Sequence, residues 1–141
     1  MTDNRTGQAV LREEDLRLLQ GRGRYTDDID ILRQARATVL RSPLAHADIS
    51  AIDTTTAKLM PGILAILTGE ELAARGLGAF KPVAAGQRSD GKPGYAVSHP
   101  LLDQGRERYV GQPVAFIIGV NINQAKDAAE AISVDYDQQP S

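Results

Sequence analysis

The segment from Val114 to Asp137 constrains the fold more than any other part of this sequence. It begins with VAFIIGV (Val114–Val120), a continuous apolar run that is typical of a strand buried on both faces. Asn123 then predicts the start of a helix. Apolar side chains follow at helical spacing, namely Ala125, Ala128, Ala129 and Ile132. Because SVDYD (Ser133–Asp137) alternates like a half-exposed strand, the segment predicts a mixed α and β domain.

Three further strands are predicted in the first half of the chain. They are Ala35–Arg41, Ala47–Asp53 and Ile63–Leu67. The first strand ends at Ser42-Pro43, because proline lacks the N–H that a sheet requires and restrains the residue before it. The run ILAIL at Ile63–Leu67 has no polar position, which predicts a strand covered on both faces.

Two short helices are predicted between these strands. Asp53 and Thr54 are suited to capping the first, which ends before a Pro-Gly turn. Thr68 and Glu71 have the spacing of a capping box, which predicts a second helix that Gly76 ends.

Composition excludes several classes of function. The 141 residues are the length of one ordinary domain, and the formal charge is −2, with acids and bases interleaved. That distribution argues against a surface for nucleic acid or anionic membrane. Without cysteine, the chain offers no disulfide and no thiolate ligand for iron–sulfur or zinc. No apolar run reaches the length of a signal peptide or a membrane span, so we expect a cytoplasmic protein.

Two stretches lack a core pattern of their own. Residues 1–34 predict an N-terminal arm with a short helix over Glu13–Gln20, or equally an irregular docking segment, followed by an extended loop. Residues 35–141 predict a single domain that contains a long loop at 77–107. A loop of that length is either functional or dependent on a partner for its order.

Ser42, His46 and Asp48 bring together the residue types of a hydrolytic triad. A strand at Ala47–Asp53 places His46 and Asp48 on one face, within reach of a hydrogen bond. Ser42 lies before a proline turn, without the Gly-x-Ser-x-Gly elbow that exposes a nucleophile. The favoured interpretation is that His46 bonds turn carbonyls or a carboxylate, and a small hydrolase is the weakest hypothesis.

The arm contains further candidate residues. Gly21-x-Gly23 begins like a dinucleotide fingerprint, but position 26 is Thr and no apolar strand precedes it. The adjacent carboxylates of Asp27 and Asp28 could bind a divalent cation, although a solvated turn or an interface salt bridge is the favoured interpretation. Interleaved acids and bases suit a docking surface better than a phosphate groove. The predicted subunit or domain interface is Arg22, Arg24, Tyr25, Asp27 and Asp28.

Five segments occur in an order that resembles a known family. They are LREEDLRLLQGRGRYTDDI, VLRSPLAHADISAID, AKLMPGILAILTGEEL, YVGQPVAFIIGV and AAEAISVDYDQQP. From about Leu11 to Pro140 the chain looks like the N-terminal domain of the molybdenum-binding large subunit of the xanthine dehydrogenase/aldehyde oxidase family. The carbon-monoxide-dehydrogenase-type large subunit is the most similar branch. The resemblance implies the α/β hammerhead, an α+β fold with a mixed sheet and packed helices.

The resemblance also implies a parent enzyme. That enzyme is an oxidoreductase that hydroxylates aldehydes or N-heterocycles with water, or oxidises carbon monoxide. Its molybdenum and molybdopterin cytosine dinucleotide are implied in downstream domains of the same subunit. [2Fe–2S] clusters and FAD are implied on partner subunits, which agrees with the absence of cysteine here.

Large subunits of this family continue well beyond this domain, and no position here matches their pterin-binding segments or the glutamate near the metal. We therefore assign no catalytic, cofactor-binding or metal residue to this chain, and interpret Gln112 as introducing a strand. The resulting hypothesis is a non-catalytic scaffold and docking domain that is inactive alone. The alternative is a stand-alone module that binds a small ligand or a protein. Continuation of the reading frame into glycine-rich pterin-binding segments would favour the first hypothesis.

Overall fold

The computed structural model describes Gly7 and residues 12–77, 79–80, 86–96 and 98–140. The chain forms two compact units, Met1–Gln34 and Ala35–Ser141. The first contains helix α1 (Asp15–Leu19), which is shorter than the predicted helix and has no buried residue, and a 3-10 turn at Thr26–Asp28. None of the helices in the described part of the chain is long and apolar enough to cross a membrane.

The second unit contains six strands and three helices among its described residues. In chain order they are β1 (Arg36–Arg41), β2 (Ala47–Asp53), α2 (Thr55–Lys58), β3 (Ile63–Thr68), α3 (Gly69–Ala74), β4 (Arg106–Glu107), β5 (Pro113–Gly119), α4 (Ile122–Glu130) and β6 (Ser133–Gln138). The α+β class is confirmed, with one difference. The named strands pair antiparallel throughout and form two three-stranded sheets, so the sheet is not mixed.

The two sheets have different roles. One has the order β1-β5-β3, with the predicted buried run at its centre, and α4 packs against it. Its core consists of Ala57, Ile66, Ala115, Ile117, Ala125, Ala128 and Ile132. The small alanines of α4 let the helix approach the sheet closely, so this half of the unit has a closely packed aliphatic core. The other sheet has the order β4-β2-β6 and adjoins the site described below.

The prediction that Ile63–Leu67 is covered on both faces is wrong. β3 lies at the edge of its sheet, paired only with β5 among the described strands, and the side chain of Leu64 is 59% exposed. An apolar run can form either an edge strand or a central strand. Which of the two it forms depends on whether residues distant in the sequence pack on both sides of it, and the run itself does not show this.

Local signals for α2 and α3 are confirmed, except that the Thr54 side chain makes no capping hydrogen bond. Asp53 accepts a hydrogen bond from the backbone N–H of Thr55 at 2.8 Å, which fixes the start of α2. The Thr68 hydroxyl accepts from the Glu71 N–H, while the Glu71 carboxylate accepts from the Thr68 N–H, as in a capping box. Gly76 has a φ of 73° and ends this segment in the left-handed region that glycine favours.

The predicted cap of α4 is wrong by two residues. Asn121, and not Asn123, precedes the helix, and its side-chain oxygen accepts from the N–H of Gln124 at 2.9 Å. We expect Asn121→Ala to lower the free energy of unfolding by about 1 kcal/mol, because that N–H loses its partner. Asn123→Ala is the matched control and should change it by less than about 0.5 kcal/mol. Urea unfolding of the two variants measures the difference, and equal losses would contradict the assignment.

Candidate functional site

A cleft of about 400 Å³ lies in the second unit between β2, the start of α3 and the loop before β4. It is lined by Ile49, Ser50, Ala51, Ile52, Thr68, Glu70, Ala73, Asp103, Gln104 and Gly105. Beside it is a cluster of four buried polar residues, which we call the polar cluster. Its members are Ser42, Asp103, Glu107 and Gln112.

Asp103 belongs to both the cleft wall and the polar cluster. One carboxylate oxygen accepts from the backbone N–H groups of Gly105 and Arg106 at 2.8 and 2.9 Å. The other accepts from the side-chain amide of Gln112 at 2.8 Å. Three donors therefore hold this carboxylate in place, which explains how a charged side chain is only 3% exposed.

Gln112 connects the loop before β4 to the start of β5. Its amide nitrogen donates to Asp103, and its amide oxygen accepts from the backbone N–H of Arg108 at 2.8 Å. Its backbone carbonyl accepts from the N–H of Ser42 at 2.9 Å, which ties the end of β1 to the same point. Gln112 does introduce a strand, and its side chain also fixes the polar cluster.

Glu107 differs from the other members of the polar cluster. Its side chain is 0% exposed, and neither carboxylate oxygen has a hydrogen-bond partner among the described residues. Burial, with the charge of Asp103 as a smaller cause, raises the pKa of Glu107 to about 7. The carboxyl group therefore titrates near neutral pH inside the protein.

Ser42, His46 and Asp48 do not form a catalytic triad. The Ser42 hydroxyl donates to the carbonyl of Leu44 and accepts from its N–H, and the side chain is 3% exposed. The His46 Nδ1 lies 2.8 Å from the carbonyl oxygen of Pro140, which follows β6, so His46 bonds a distant carbonyl and not one of its own turn as predicted. Asp48 instead accepts two hydrogen bonds from the guanidinium of Arg106, at 2.6 and 3.0 Å. That ion pair lowers the pKa of Asp48.

The predicted interface residues all lie on the exposed surface of the first unit. They are Arg22, Arg24, Tyr25, Asp27 and Asp28. The backbone N–H of Tyr25 donates to the Asp28 carboxylate at 2.9 Å, so that carboxylate stabilises the 3-10 turn. The same unit exposes large apolar side chains, namely Leu16, Leu19, Tyr25, Ile29, Ile31 and Leu32.

The predicted long loop is partly described and contains local structure. Phe80 and His99 form an antiparallel bridge, with hydrogen bonds of 2.8 and 3.1 Å between their backbones. The guanidinium of Arg88 lies 5.4 Å from the centre of the Tyr95 ring, a cation–π contact. The loop ends in β4, whose two residues pair with β2.

The cleft does not fit the cofactor that the resemblance implies for the parent enzyme. A dinucleotide has a pyrophosphate, which requires cations or N–H donors. The charged side chains that line the cleft are two carboxylates, Glu70 and Asp103. The described residues also contain no group of three or more His, Cys, Asp or Glu that could hold a metal ion. We therefore derive no chemical step through a metal or a pterin on this chain.

Sequence reasoning missed Asp103 and Glu107. Asp103-Gln104-Gly105 has the letters of an Asx turn, and this signal could have placed Asp103 in a fixed loop. Glu107 lies in RER, which is typical of an exposed segment, so no local signal indicated its burial.

Residues 20–140 match the family model described as aldehyde oxidase and xanthine dehydrogenase, a/b hammerhead domain. This range includes both sheets and the polar cluster. The chain therefore belongs to this family, and the resemblance found in the sequence is confirmed.

Two curated relatives illustrate the match. Subunit gamma of the 6-hydroxypseudooxynicotine dehydrogenase complex of Paenarthrobacter nicotinovorans is 37% identical over 134 residues, which are 95% of this chain and 17% of the relative. The carbon monoxide dehydrogenase large chain of Afipia carboxidovorans is 36% identical over 129 residues, which are 92% of this chain and 15% of the relative. The chain thus spans about one sixth of the length of these proteins.

Solved structures agree with the sequence match. Quinoline 2-oxidoreductase from Pseudomonas putida 86 gives a TM-score of 0.81 at 37% identity, over 95% of this chain and 16% of that one. Cu,Mo-CO dehydrogenase in its carbon-monoxide-reduced state gives 0.78 at 34% identity, over 95% and 16%. These likenesses confirm the hammerhead fold.

Proposed function

We propose that this chain is a non-catalytic scaffold and docking domain of the large subunit of a molybdenum-dependent oxidoreductase. Its family membership and the names of its relatives, which are dehydrogenases and hydroxylases, support the parent enzyme. The carboxylate-lined cleft supports a non-catalytic role, because it does not suit the dinucleotide. On this proposal the isolated chain is inactive.

The proposal places the chemistry in other parts of the enzyme. Molybdenum and molybdopterin cytosine dinucleotide belong to downstream domains of the same subunit, and [2Fe–2S] clusters and FAD to partner subunits in the cytoplasm. The substrate class is an aldehyde, an N-heterocycle or carbon monoxide. We further propose residues 1–34 as a docking arm and residues 35–141 as the hammerhead domain.

The observation that carries the docking role is the apolar surface of the arm. Leu19 is 85% exposed on a helix with no buried residue, and five other large apolar side chains of this unit are exposed. Exposure of so much apolar surface to water is unfavourable in free energy, and contact with a partner would remove this cost. The mixed charges around Tyr25 suit the polar rim of such a contact.

We expect Leu19→Ser to weaken association of a large subunit with its iron–sulfur and FAD partners by about tenfold, because one buried leucine is lost from the interface. Leu59→Ser is the matched control, since Leu59 is 83% exposed outside the arm. Biolayer interferometry of each variant large subunit against its partner subunits gives the two dissociation constants. Unchanged binding of the Leu19 variant, or equal losses in both, would contradict the docking role.

The cleft supports the second candidate, a stand-alone binding module. Its lining mixes apolar side chains such as Ile49 with the hydroxyl of Ser50 and the carboxylate of Glu70, which is typical of a small-ligand pocket. The scaffold domain and the stand-alone module predict different gene sequences downstream of this segment. Continuation of the reading frame into glycine-rich pterin-binding segments favours the large subunit, and its absence favours the module.

A further inference from the structure

The environment of Glu107 goes beyond what a scaffold requires. Its side chain has no exposed surface, and both carboxylate oxygens are without a hydrogen-bond partner among the described residues. An ionised carboxylate there loses its hydration and receives no donor in exchange, which is among the most unfavourable arrangements in a folded protein. A protonated carboxylic acid avoids most of that penalty, because it is neutral.

Among the groups that face Glu107, the charge of Asp103 also favours the neutral acid. Asp103, in the loop before β4, adds a negative charge whose position is fixed by three donors. Tyr136 on β6 is close enough that Glu107, after burial itself, contributes to raising the pKa of the phenol, which keeps the phenol neutral and adds no charge beside Glu107. On β2 the residue directly opposite is Ala47, which is buried and uncharged.

The neighbouring cations are directed elsewhere. The guanidinium of Arg106 makes two hydrogen bonds to Asp48 on β2. The guanidinium of Arg108 donates to the backbone carbonyl of Arg106 at 3.1 Å. Neither arginine therefore donates a hydrogen bond to the Glu107 carboxyl group in the described structure.

Movement of Glu107 would alter the cleft. β4 has only two residues, Arg106 and Glu107, and its pairing with β2 supports the adjoining Gln104–Gly105 part of the cleft wall, whereas Asp103 is also bonded to Gln112 and Pro113. The backbone N–H of Ile49 donates to the carbonyl of Gly105 at 2.9 Å at the same junction. A carboxylate that moved to water would pull β4 from β2 and release that part of the wall.

We propose that Glu107 is a proton-dependent switch of the cleft: the protonated side chain keeps β4 on β2, and its ionisation releases β4 together with the Gln104–Gly105 part of the wall. This inference does not rest on the proposed docking function. It concerns a residue of the hammerhead unit that has no role in the arm.

The direction of the pH effect follows from linkage. The pKa of Glu107 is about 7 in the closed structure and has its ordinary value of 4.5 once the side chain reaches water. The closed form therefore binds the proton more tightly than the open form. The stabilisation of the closed form by this proton is complete below pH 4.5 and is lost as the pH rises through about 7. From pH 5.5 to 8, the opening equilibrium should increase by about tenfold or more on this account.

The experiment compares the wild-type chain with Glu107→Gln, which is neutral at every pH. Carboxyl ¹³C NMR of wild type should give a midpoint near 7 for this side chain. Amide hydrogen exchange of residues 103–108, corrected for the chemical exchange rate, should accelerate from pH 5.5 to 8 by about tenfold more in wild type than in Glu107→Gln. Glu70→Gln, an exposed carboxyl of the same cleft, is the matched control and should behave as wild type.

Several outcomes would overturn the proposal. They are a midpoint near the ordinary value of 4.5, equal exchange in wild type and Glu107→Gln, or a midpoint that falls on addition of MgCl₂ or CaCl₂ but not of KCl at the same ionic strength. The last would mean that the site binds a cation. If Glu107→Gln does not fold, Glu107→Leu replaces it, because an apolar side chain suits the buried position and is also neutral at every pH. Retention of the pH-dependent exchange in Glu107→Leu would equally contradict the switch.

Discussion

Replacing Gly69 with alanine is expected to lower the free energy of unfolding of this chain by about 2–3 kcal/mol. Gly69 is the first residue of α3 and is buried. A Cβ atom there would lie well inside contact distance of the backbone carbonyl of Asp103. Backbone cannot rotate away as a long side chain does, so either α3 or the wall of the cleft must shift.

The matched control for this substitution is Gly86→Ala. An added Cβ at Gly86 meets nothing within 4 Å, and its φ lies outside the left-handed region. We expect a change of less than about 0.5 kcal/mol. Urea unfolding followed by circular dichroism gives both free energies. Gly69→Ala with wild-type stability would show that α3 and the loop before β4 do not approach as closely as described.

Local sequence signals predicted much of the fold. The capping box of Thr68 and Glu71 and the end of α3 near Gly76 depend on residues within one turn of each other, so the sequence contains the whole interaction. The apolar run in β5 was also predicted correctly as buried, because the strand lies at the centre of its sheet.

The errors arose where distant residues decide the structure. Leu64 is exposed because β3 is an edge strand, and an apolar run does not indicate how many neighbours it will have. The sequence Asn121-Ile122-Asn123 offers two capping residues two positions apart. The one that caps is the one whose side chain reaches the N–H of Gln124.

The candidate site was the least predictable part. Its members come from the end of β1, the loop before β4, β4 itself and the start of β5, which are brought together only by the tertiary fold. The charged letters around Glu107 indicate an exposed segment, whereas pairing of β4 with β2 buries the side chain. The five predicted interface residues are exposed, and their role in docking stays a prediction.

On the proposed function, this domain supports a molybdenum centre that is held by other domains of the large subunit. A chain of this kind should fold alone, because its aliphatic core is complete within the second unit. On the proposed function, it should also bind the remainder of a large subunit.

The most direct measurement is the molybdenum content of the purified chain, by mass spectrometry, after expression in a host that makes the cofactor. The chain should be produced once alone and once together with the remainder of a large subunit as a separate polypeptide. We predict background molybdenum on the chain alone, and a complex containing both the chain and molybdenum in the second preparation. Stoichiometric molybdenum on the chain alone, or a loaded remainder from which the chain is absent, would contradict the account.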